Sequence, residues 1–588
     1  MKENKEETKE LETIEIPDDQ EVEEIEVPEE ELLFGFDKLE PKKRKKRAII
    51  ISVSTVATLI VLFALAMWLW FFIVNYPVIT ITHKNIDDLK KDYTLTENGQ
   101  YVANINYDDY LVDNSQMESI FSEKVYLSQS GVLESNTAAQ NTTIIQDIID
   151  SHDKGITIIV DGNYKIKSLQ LKSKTTLEIK KDCSLIGPYY EDNAKVTAII
   201  YAKDAKEINI IGPGTIVGNG ESFTNEAQDE TILKPLLAFN VKERVLEARK
   251  RIRSKKTDDR PHILFLDNCS DVTVQGVRLY QAANWTCKIL DSNDVTFKDV
   301  VIDNNIHVAN ADGIDIVSSQ KVKVIHCFIA TADDGVCIKA NGNENVDDVT
   351  VDRCSILSMA NNFKIGTETS KDVKKVSVTN CYFFMPDNVV GGYAGVAIES
   401  ADGSNVYDVY VDNIYMKGIS SPALIWLGYR LDTNNGSDGK TVGSINKVTI
   451  SNITATNVEM ASAVTGCIRN DKTYYVQNVE LANFNVTYRN TPENLDIGEA
   501  DFEYSMGGLA DKVFKQGYPE ITRVLHKYTT SHEASDYKDM PVYGLFARHV
   551  TGIKVYNLNV TPRSCNELPR DNITQAKDRY DVLEVKVN

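Results

Sequence analysis

Helical periodicity is almost absent from this 588-residue chain, which excludes a body built on long amphipathic helices and turns attention to strands. Excess positive charge is missing as well. The formal charge is −22; residues 1–40 carry −13, the run from Lys42 to Arg47 carries +6, and everything beyond carries −15. An acidic body of that kind argues against a nucleic-acid partner, while an anionic glycan stays open because one local cationic groove suffices. Cysteine is odd in number, nine in all, so at least one thiol has no partner. Cys327, Cys354 and Cys381 recur at 27-residue steps as one repeat position. Their Cβ atoms would sit near the roughly 4.8 Å strand spacing, longer than the roughly 3.8 Å that a disulfide wants, so the expectation is an inward ladder of free thiols.

Aromatics are few in residues 1–40, which hold 17 acidic and 4 basic side chains; such a segment cannot bury enough surface to offset ordering entropy and reads as a disordered tail. The basic run KKRKKR is followed by Ala48 to Val74, 27 residues without a charge, ending in Trp68, Trp70, Phe71 and Phe72. That length predicts a transmembrane helix, and the flanking lysines and arginines put the tail in the cytoplasm and the remainder outside the cell. A signal peptide is the competing reading, but Asn75-Tyr76-Pro77 offers no small-residue cleavage site. The expected organisation is a tail and basic run over 1–47, a membrane span over 48–74, a spacer over 75–121 and one large domain over 122–588.

That domain carries an internal repeat. The pattern SDVTVQGV from Ser270 returns as NDVTFKDV, QKVKVIHC, DDVTVDRC, KKVSVTNC, YDVYVDNI and NKVTISNI, with leading valines at Val272, Val295, Val322, Val349, Val376, Val409 and Val448. Short β-branched strands at steps of 23 to 39 residues, with Asn, Asp and Gly between them, describe a parallel β-helix whose coils stack at the strand spacing. Thr137 to Asp150 is the exception: Ile144, Ile145, Ile148 and Ile149 are spaced for a short amphipathic helix that caps the first coil. Lys242 to Lys256 looks like a basic amphipathic helix within an insertion, either a solvated face or a cationic rim. Residues 500–539 read as a second, loop-rich insertion.

The stretch NADGIDIVSSQKVKVIHCFIATADDGVCIKA, Asn310 to Ala340, sets three carboxylates one repeat apart: Asp312, Asp333 and Asp334. Stacked coils place them on one wall. The bland reading is that Asp and Asn end strands in any β-helix, and by that rule Asp347, Asp348 and Asp352 carry no role.

Several phrases in order carry a resemblance: TAAQNTTIIQDIID, LKSKTTLEIKKDCSLIGP, IIGPGTIVGNG, RPHILFLDNC, NWTCKILDSNDVTF, NADGID and ADDG. Over roughly residues 125–565 the chain resembles glycoside hydrolase family 28, the polygalacturonase-like enzymes of the pectin-lyase-type fold, and the resemblance implies an all-β, right-handed parallel β-helix. The resemblance implies inverting hydrolysis, with Asp333 as general acid and Asp312 and Asp334 holding and activating the attacking water. Inversion needs a protonated carboxyl on one side of the bond and a carboxylate on the other, and like charges packed together raise at least one pKa. The closing phrase MPVYGLFARHVTGIKVYNLNV resembles bacterial members that replace Gly-His-Gly with a KIGTES-like phrase.

Departures from the family pattern matter for the substrate. Ala360-Asn361-Asn362 stands where polygalacturonases carry Gly-His-Gly, and Ala397-Ile398-Glu399 stands for Arg-Ile-Lys. Aligned strands give three columns: Asp312, Asp334, Asn361, Ala394; Asp315, Cys337, Lys364, Ala397; and Val317, Lys339, Gly366, Glu399. Because side chains alternate across a strand, Lys339 and Lys364 sit beside the aspartates, either to neutralise a substrate carboxylate or to pair with Asp315 or Glu399. Asn361, Glu368, Glu399, His307 and Arg430 complete the candidate binding residues, with Trp285, Trp426 and Tyr429 as sugar-stacking candidates or core.

Three function classes follow. The first is a membrane-anchored, extracellular, inverting glycosidase acting as a monomer on an acidic polysaccharide without metal or cofactor. The second is a lyase or epimerase on the same fold, for which the aspartates would hold Ca²⁺. The third is a surface protein that binds glycan without turning it over.

Overall fold

The structure is a computed structural model that describes residues 123–224, 260–306, 308–385, 392–429, 442–458, 461–469, 472–488 and 542–561, with short strands at Thr94–Leu95, Tyr101–Val102 and Asp571–Ile573. All of them belong to the unit Ile73–Asn588. The acidic tail, the apolar span 48–74, the basic segment 242–256, the insertion 500–539, His307 and Arg430 lie outside the described residues. Among the described residues no helix is long and apolar enough to cross a membrane.

Each coil begins with a strand in which alternate residues are β-branched, so one face turns inward and the other outward. In Gln320–Ile325, for example, Val322 and Val324 are buried and Lys321 and Lys323 are exposed. The expected valine column holds at every step: Val272 pairs with Val295, then Val322, Val349, Val376, Val409, Val448 and Val479, all in parallel register. The architecture is therefore a parallel β-helix.

A corner residue in the left-handed region recurs between coils: Asp299, His326, Arg353, Asn380, Asn413, Asn452, Asn483 and Asn557 all have φ between 51° and 57°. Asparagine tolerates that conformation, and here its amide also bridges coils. Asn413 Nδ2 donates to Asn380 Oδ1 at 2.7 Å, and Asn483 Nδ2 donates to Asn452 Oδ1 at 2.7 Å. Past the corner a second short strand follows in the earlier coils, as in Val301–Asp303 and Phe328–Thr331. From Val373–Phe384 onward the two merge into single strands, Asn405–Lys417, Ser444–Val458 and Val476–Tyr488.

The third wall is a separate parallel sheet running from Leu169–Leu171 to Asp571–Ile573, with Ile314–Val317, Val336–Ala340, Asn361–Thr369 and Ala394–Ser400 as consecutive neighbours. Inside lies one continuous aliphatic core.

The end cap is the helix Ala138–Asp150, opened by a capping box in which Gln140 N donates to Thr137 Oγ1 and Thr137 N donates to Gln140 Oε1. Ile145 and Ile149 are buried beneath it, and Ile144 and Ile148 pack at the edge of the core. The thiol ladder is also present: Cys327, Cys354 and Cys381 are buried, Cys354 N donates to Cys381 Sγ at 3.4 Å, and all eight cysteines among the described residues are free.

Candidate active site

The site is built on the third wall, where sheet register converts sequence spacing into columns. Lys288 pairs with Asp315, Asp315 with Cys337, Cys337 with Lys364 and Lys364 with Ala397. Their neighbours Ile316, Ile338, Ile365 and Ile398 are buried in the core, so the charged column faces the opposite way, as alternation requires.

Asp312 and Asp334 sit just before two of these strands, each followed by a glycine. A Cβ on Gly313 would lie 2.3 Å from the Gly335 carbonyl oxygen, and one on Gly335 would lie 2.5 Å from the Asn362 carbonyl oxygen. Only glycine lets the coils approach closely enough to stack the aspartates. Hydroxyls pin the backbone behind them. Thr286 N and Oγ1 donate to the Asp312 carbonyl at 2.9 and 2.7 Å, and Thr331 Oγ1 and Ser358 Oγ donate to the Asp333 carbonyl at 2.8 and 2.6 Å. Arg260 braces the same loop, donating to the carbonyls of Ala283 and Ala309 at 3.0 and 2.5 Å and to Asn310 Oδ1 at 3.1 Å.

The structure thus brings the three predicted aspartates together: one carboxylate oxygen from each of Asp312, Asp333 and Asp334 lies within 4.8 Å of the others. Their environments differ. Asp312 and Asp334 are each 3% exposed, whereas Asp333 is half-buried and faces solvent. Burial, with the charges of Asp315 and Asp333, pushes the Asp312 carboxyl well above the usual carboxylate range. Burial acts on Asp334 in the same direction but is outweighed by the ammonium groups of Lys364 and Lys339 and the amide of Asn361, so its pKa falls below the ordinary value. Lys364 Nζ lies 3.1 Å from Asp334 Oδ2, and Asn361 donates to Oδ1 through Nδ2 at 2.8 Å and through its backbone N at 3.2 Å.

A second ionic group adjoins the first. Asp315 is fully buried, and its carboxyl is pushed up to about 7 by burial, against the opposing pull of Lys339. Lys339 Nζ lies 3.4 Å from Asp315 Oδ1 and 3.3 Å from Glu368 Oε2, with the Trp285 ring centroid 4.6 Å away. Both lysines are therefore tied to protein carboxylates. Lys339 takes the structural partner expected of it, Asp315, while Lys364 engages Asp334 itself. Glu368 reaches Lys339 because the register shifts between Ile338 and Ala340, where Ala340 pairs with Thr369 and the residues from Gly366 bulge outward. Glu399 is 3% exposed, packed against Gly366 and paired in register with Trp426, itself 2% exposed. Trp426 is thereby part of the wall. Tyr429 carries the Arg469 guanidinium over its ring at 4.8 Å. Thr286, Ser358 and Arg260 were beyond sequence reasoning, although Arg260 stands in the phrase RPHILFLDNC.

Three clustered carboxylates can also serve as a cation site. Here the Lys364 ammonium already neutralises Asp334, and three oxygens fall short of the six to eight or so that Ca²⁺ takes. The arrangement is that of an acid/base site, two buried carboxyls of opposed tendency beside one that reaches solvent.

The fold and this site define a parallel β-helix with a three-aspartate acid/base centre, and the model of glycosyl hydrolases family 28 matches residues 150–499. The chain belongs to that family of glycosidases. An endo-polygalacturonase of Pectobacterium carotovorum subsp. carotovorum is 24% identical over 52% of this chain, which spans 60% of that relative's length. An exo-poly-alpha-D-galacturonosidase of Dickeya chrysanthemi is 22% identical over 66% of this chain and 72% of its own. Among solved structures, a hyperthermoactive exopolygalacturonase from Thermotoga maritima is 17% identical and superposes with a TM-score of 0.50 over 65% of this chain and 90% of that one.

Proposed function

We propose that this chain is an inverting glycoside hydrolase that cleaves an acidic, pectin-like polysaccharide, held at the cell membrane by residues 48–74 with its catalytic domain outside. The observation that carries the chemistry is the division of labour among the aspartates. Lys364 and Asn361 keep Asp334 ionised, which suits a base that takes a proton from water. Asp333 is the one carboxyl of the three with solvent access, and it donates its proton to the leaving oxygen. Asp312, biased toward its protonated form, holds the water from a second side. Among groups this close, the protons belong to the cluster and not to one residue.

One observation favours retention instead. The 4.8 Å clustering is shorter than the roughly 6.5–9.5 Å between carboxyls in most inverting enzymes and nearer the roughly 5–5.5 Å of retaining ones. Both oxygens of Asp334 are already engaged, by Lys364 and Asn361, which counts against its attacking the anomeric carbon.

The full-length protein, purified in detergent, is to be assayed for new reducing ends on a polysaccharide panel, with the first-formed anomer read by NMR. Inversion is expected, and retention overturns that mechanism. Asp333→Asn should lower kcat by roughly 10²–10⁴ with KM little changed. Turnover at the wild-type rate removes Asp333 from the chemistry, and an unsaturated product makes the enzyme a lyase. Protease added to intact cells should digest the domain and spare residues 1–47; the reverse pattern overturns the topology.

A further inference from the structure

Beside the aspartates, on the N-terminal side of the wall, Lys288 stands in an aromatic cluster that the proposed chemistry does not use. Phe265 and Asp315 are the register neighbours of Lys288 on its two sides. Lys288 Nζ lies 4.8 Å from the Phe265 ring centroid and 5.6 Å from that of Trp285. Tyr201 and His262 extend the aromatic lining, with ring centroids 5.3 and 5.7 Å from Phe265. His262 Nδ1 donates to the Trp285 carbonyl at 2.9 Å and so fixes the backbone there; burial presses its pKa down to about 4, so the ring is neutral at pH 7, and it lies 5.9 Å from the indole centroid.

Lys288 differs from the other lysines of this wall. Lys339 is bound to Asp315 and Glu368, and Lys364 to Asp334, but among the described residues no carboxylate lies within 4 Å of Lys288 Nζ and nothing accepts a hydrogen bond from it. A half-buried ammonium held over two aromatic faces, with no carboxylate within 4 Å among the described residues, is set up to take an anion from solution. The cluster adjoins the aspartates, because Thr286, next to Trp285, holds the Asp312 carbonyl.

We propose that Lys288 and Trp285 form a subsite for a uronate residue next to the cleaved bond, with the ammonium binding the sugar carboxylate and the indole packing on the sugar ring. This rests on the hydrolase reading above and deepens it by naming the group recognised. The competing role for Lys288 is purely structural, as a longer-range counter-charge to Asp315.

The test compares full-length wild type, Lys288→Met and Lys288→Arg on a galacturonate oligosaccharide and on its methyl ester. Loss of one charge-assisted contact should lower kcat/KM of Lys288→Met on the free acid by roughly 10–100-fold, through KM, and by less than about threefold on the ester. Lys288→Arg should keep most of the preference. Equal losses on both substrates, or none, overturn the subsite and leave the hydrolase standing. If wild type hydrolyses neither oligosaccharide, the uronate reading and the subsite fall together. Trp285→Leu separates packing from charge: it should raise KM on both substrates alike, and unchanged KM removes the indole from the site.

Discussion

Lys364→Met is the substitution that most directly interrogates the electrostatics. The ammonium stands 3.1 Å from Asp334 Oδ2, with the lysine side chain 15% and the aspartate side chain 4% exposed. At that distance and an effective dielectric constant near 20, the direct attraction is about 5 kcal/mol. Desolvation of the two charges offsets much of this in the intact pair, but removing one partner strands the other, at a cost of about 3–5 kcal/mol. Asp334 escapes that cost by taking a proton. Its depressed native pKa contributes stability above the unfolded value near 3.9, and this is lost as pH falls through the native pKa. In the variant that contribution disappears and the pKa moves up. Methionine fills the same volume, so packing is largely conserved. Two measurements follow: kcat against pH, in which the acidic limb should shift to higher pH with kcat falling at its optimum, and thermal unfolding near neutrality, in which Tm should drop. A variant with an unmoved acidic limb, unchanged Tm and only a higher KM would refute the argument. It would assign Lys364 to substrate carboxylate binding, one of the two roles that the strand columns left open.

Two further outcomes are expected. Asp315 is fully buried with a pKa pushed up to about 7, above its unfolded value, so its contribution is present below about pH 4 and is lost as pH rises through 7; the span amounts to about 4 kcal/mol at most. Asp315→Asn should therefore flatten the pH dependence of Tm between pH 4 and 7, and an unchanged slope refutes the assignment. In the native protein, thiol reagents should spare Cys327, Cys354 and Cys381, which are buried, and label them only after denaturation; mass spectrometry showing a native Cys327 to Cys354 crosslink contradicts the ladder.

The coil repeat was legible because two independent signals coincide in it. Valine alternation marks the inward face, and the left-handed corner falls at a constant offset, filled by Gly276, Asp299, Asn380, Asn413 and Asn452 with His326 and Arg353 as the exceptions, so register could be read from Val272 to Val448 and is met at each pairing. The aspartate cluster was legible for a related reason: Gly313 and Gly335 are dictated by backbone contact, and their recurrence after Asp312 and Asp334 fixes the stacking. Ion pairing was not legible. A column tells which residues are adjacent, but Lys364 has Asp334 and Glu399 on either side and only side-chain geometry chooses between them. The bulge after Ile365 was hidden as well, since GTET reads as a turn that ends the strand, yet it is what carries Glu368 to Lys339. The hydroxyls of Thr286, Thr331 and Ser358 resemble any other polar residue at a strand end until the carbonyls they hold are seen.

The loss of Arg-Ile-Lys then has a definite consequence for where an acidic sugar can sit. Ala397 continues the column of Lys288 and Lys364 without a charge, and Glu399 is buried one position along the same outward face. Among the described residues, a uronate placed over that part of the wall would meet the Glu399 carboxylate, and the neighbouring ammonium, Lys364, is already paired with Asp334. Moving toward the N-terminus, Lys364 and Lys339 supply positive charge that Asp334, Asp315 and Glu368 already neutralise. At Lys288 the column presents a cation with no carboxylate within 4 Å among the described residues, Asp315 and Asp267 acting only from farther off, and there aromatic rings take the near positions. On the proposal that Lys288 holds a sugar carboxylate, the recognising charge lies on the N-terminal side of the aspartate cluster, one strand before Asp315 and four before Ala397, and the acidic residue of the substrate sits on that side.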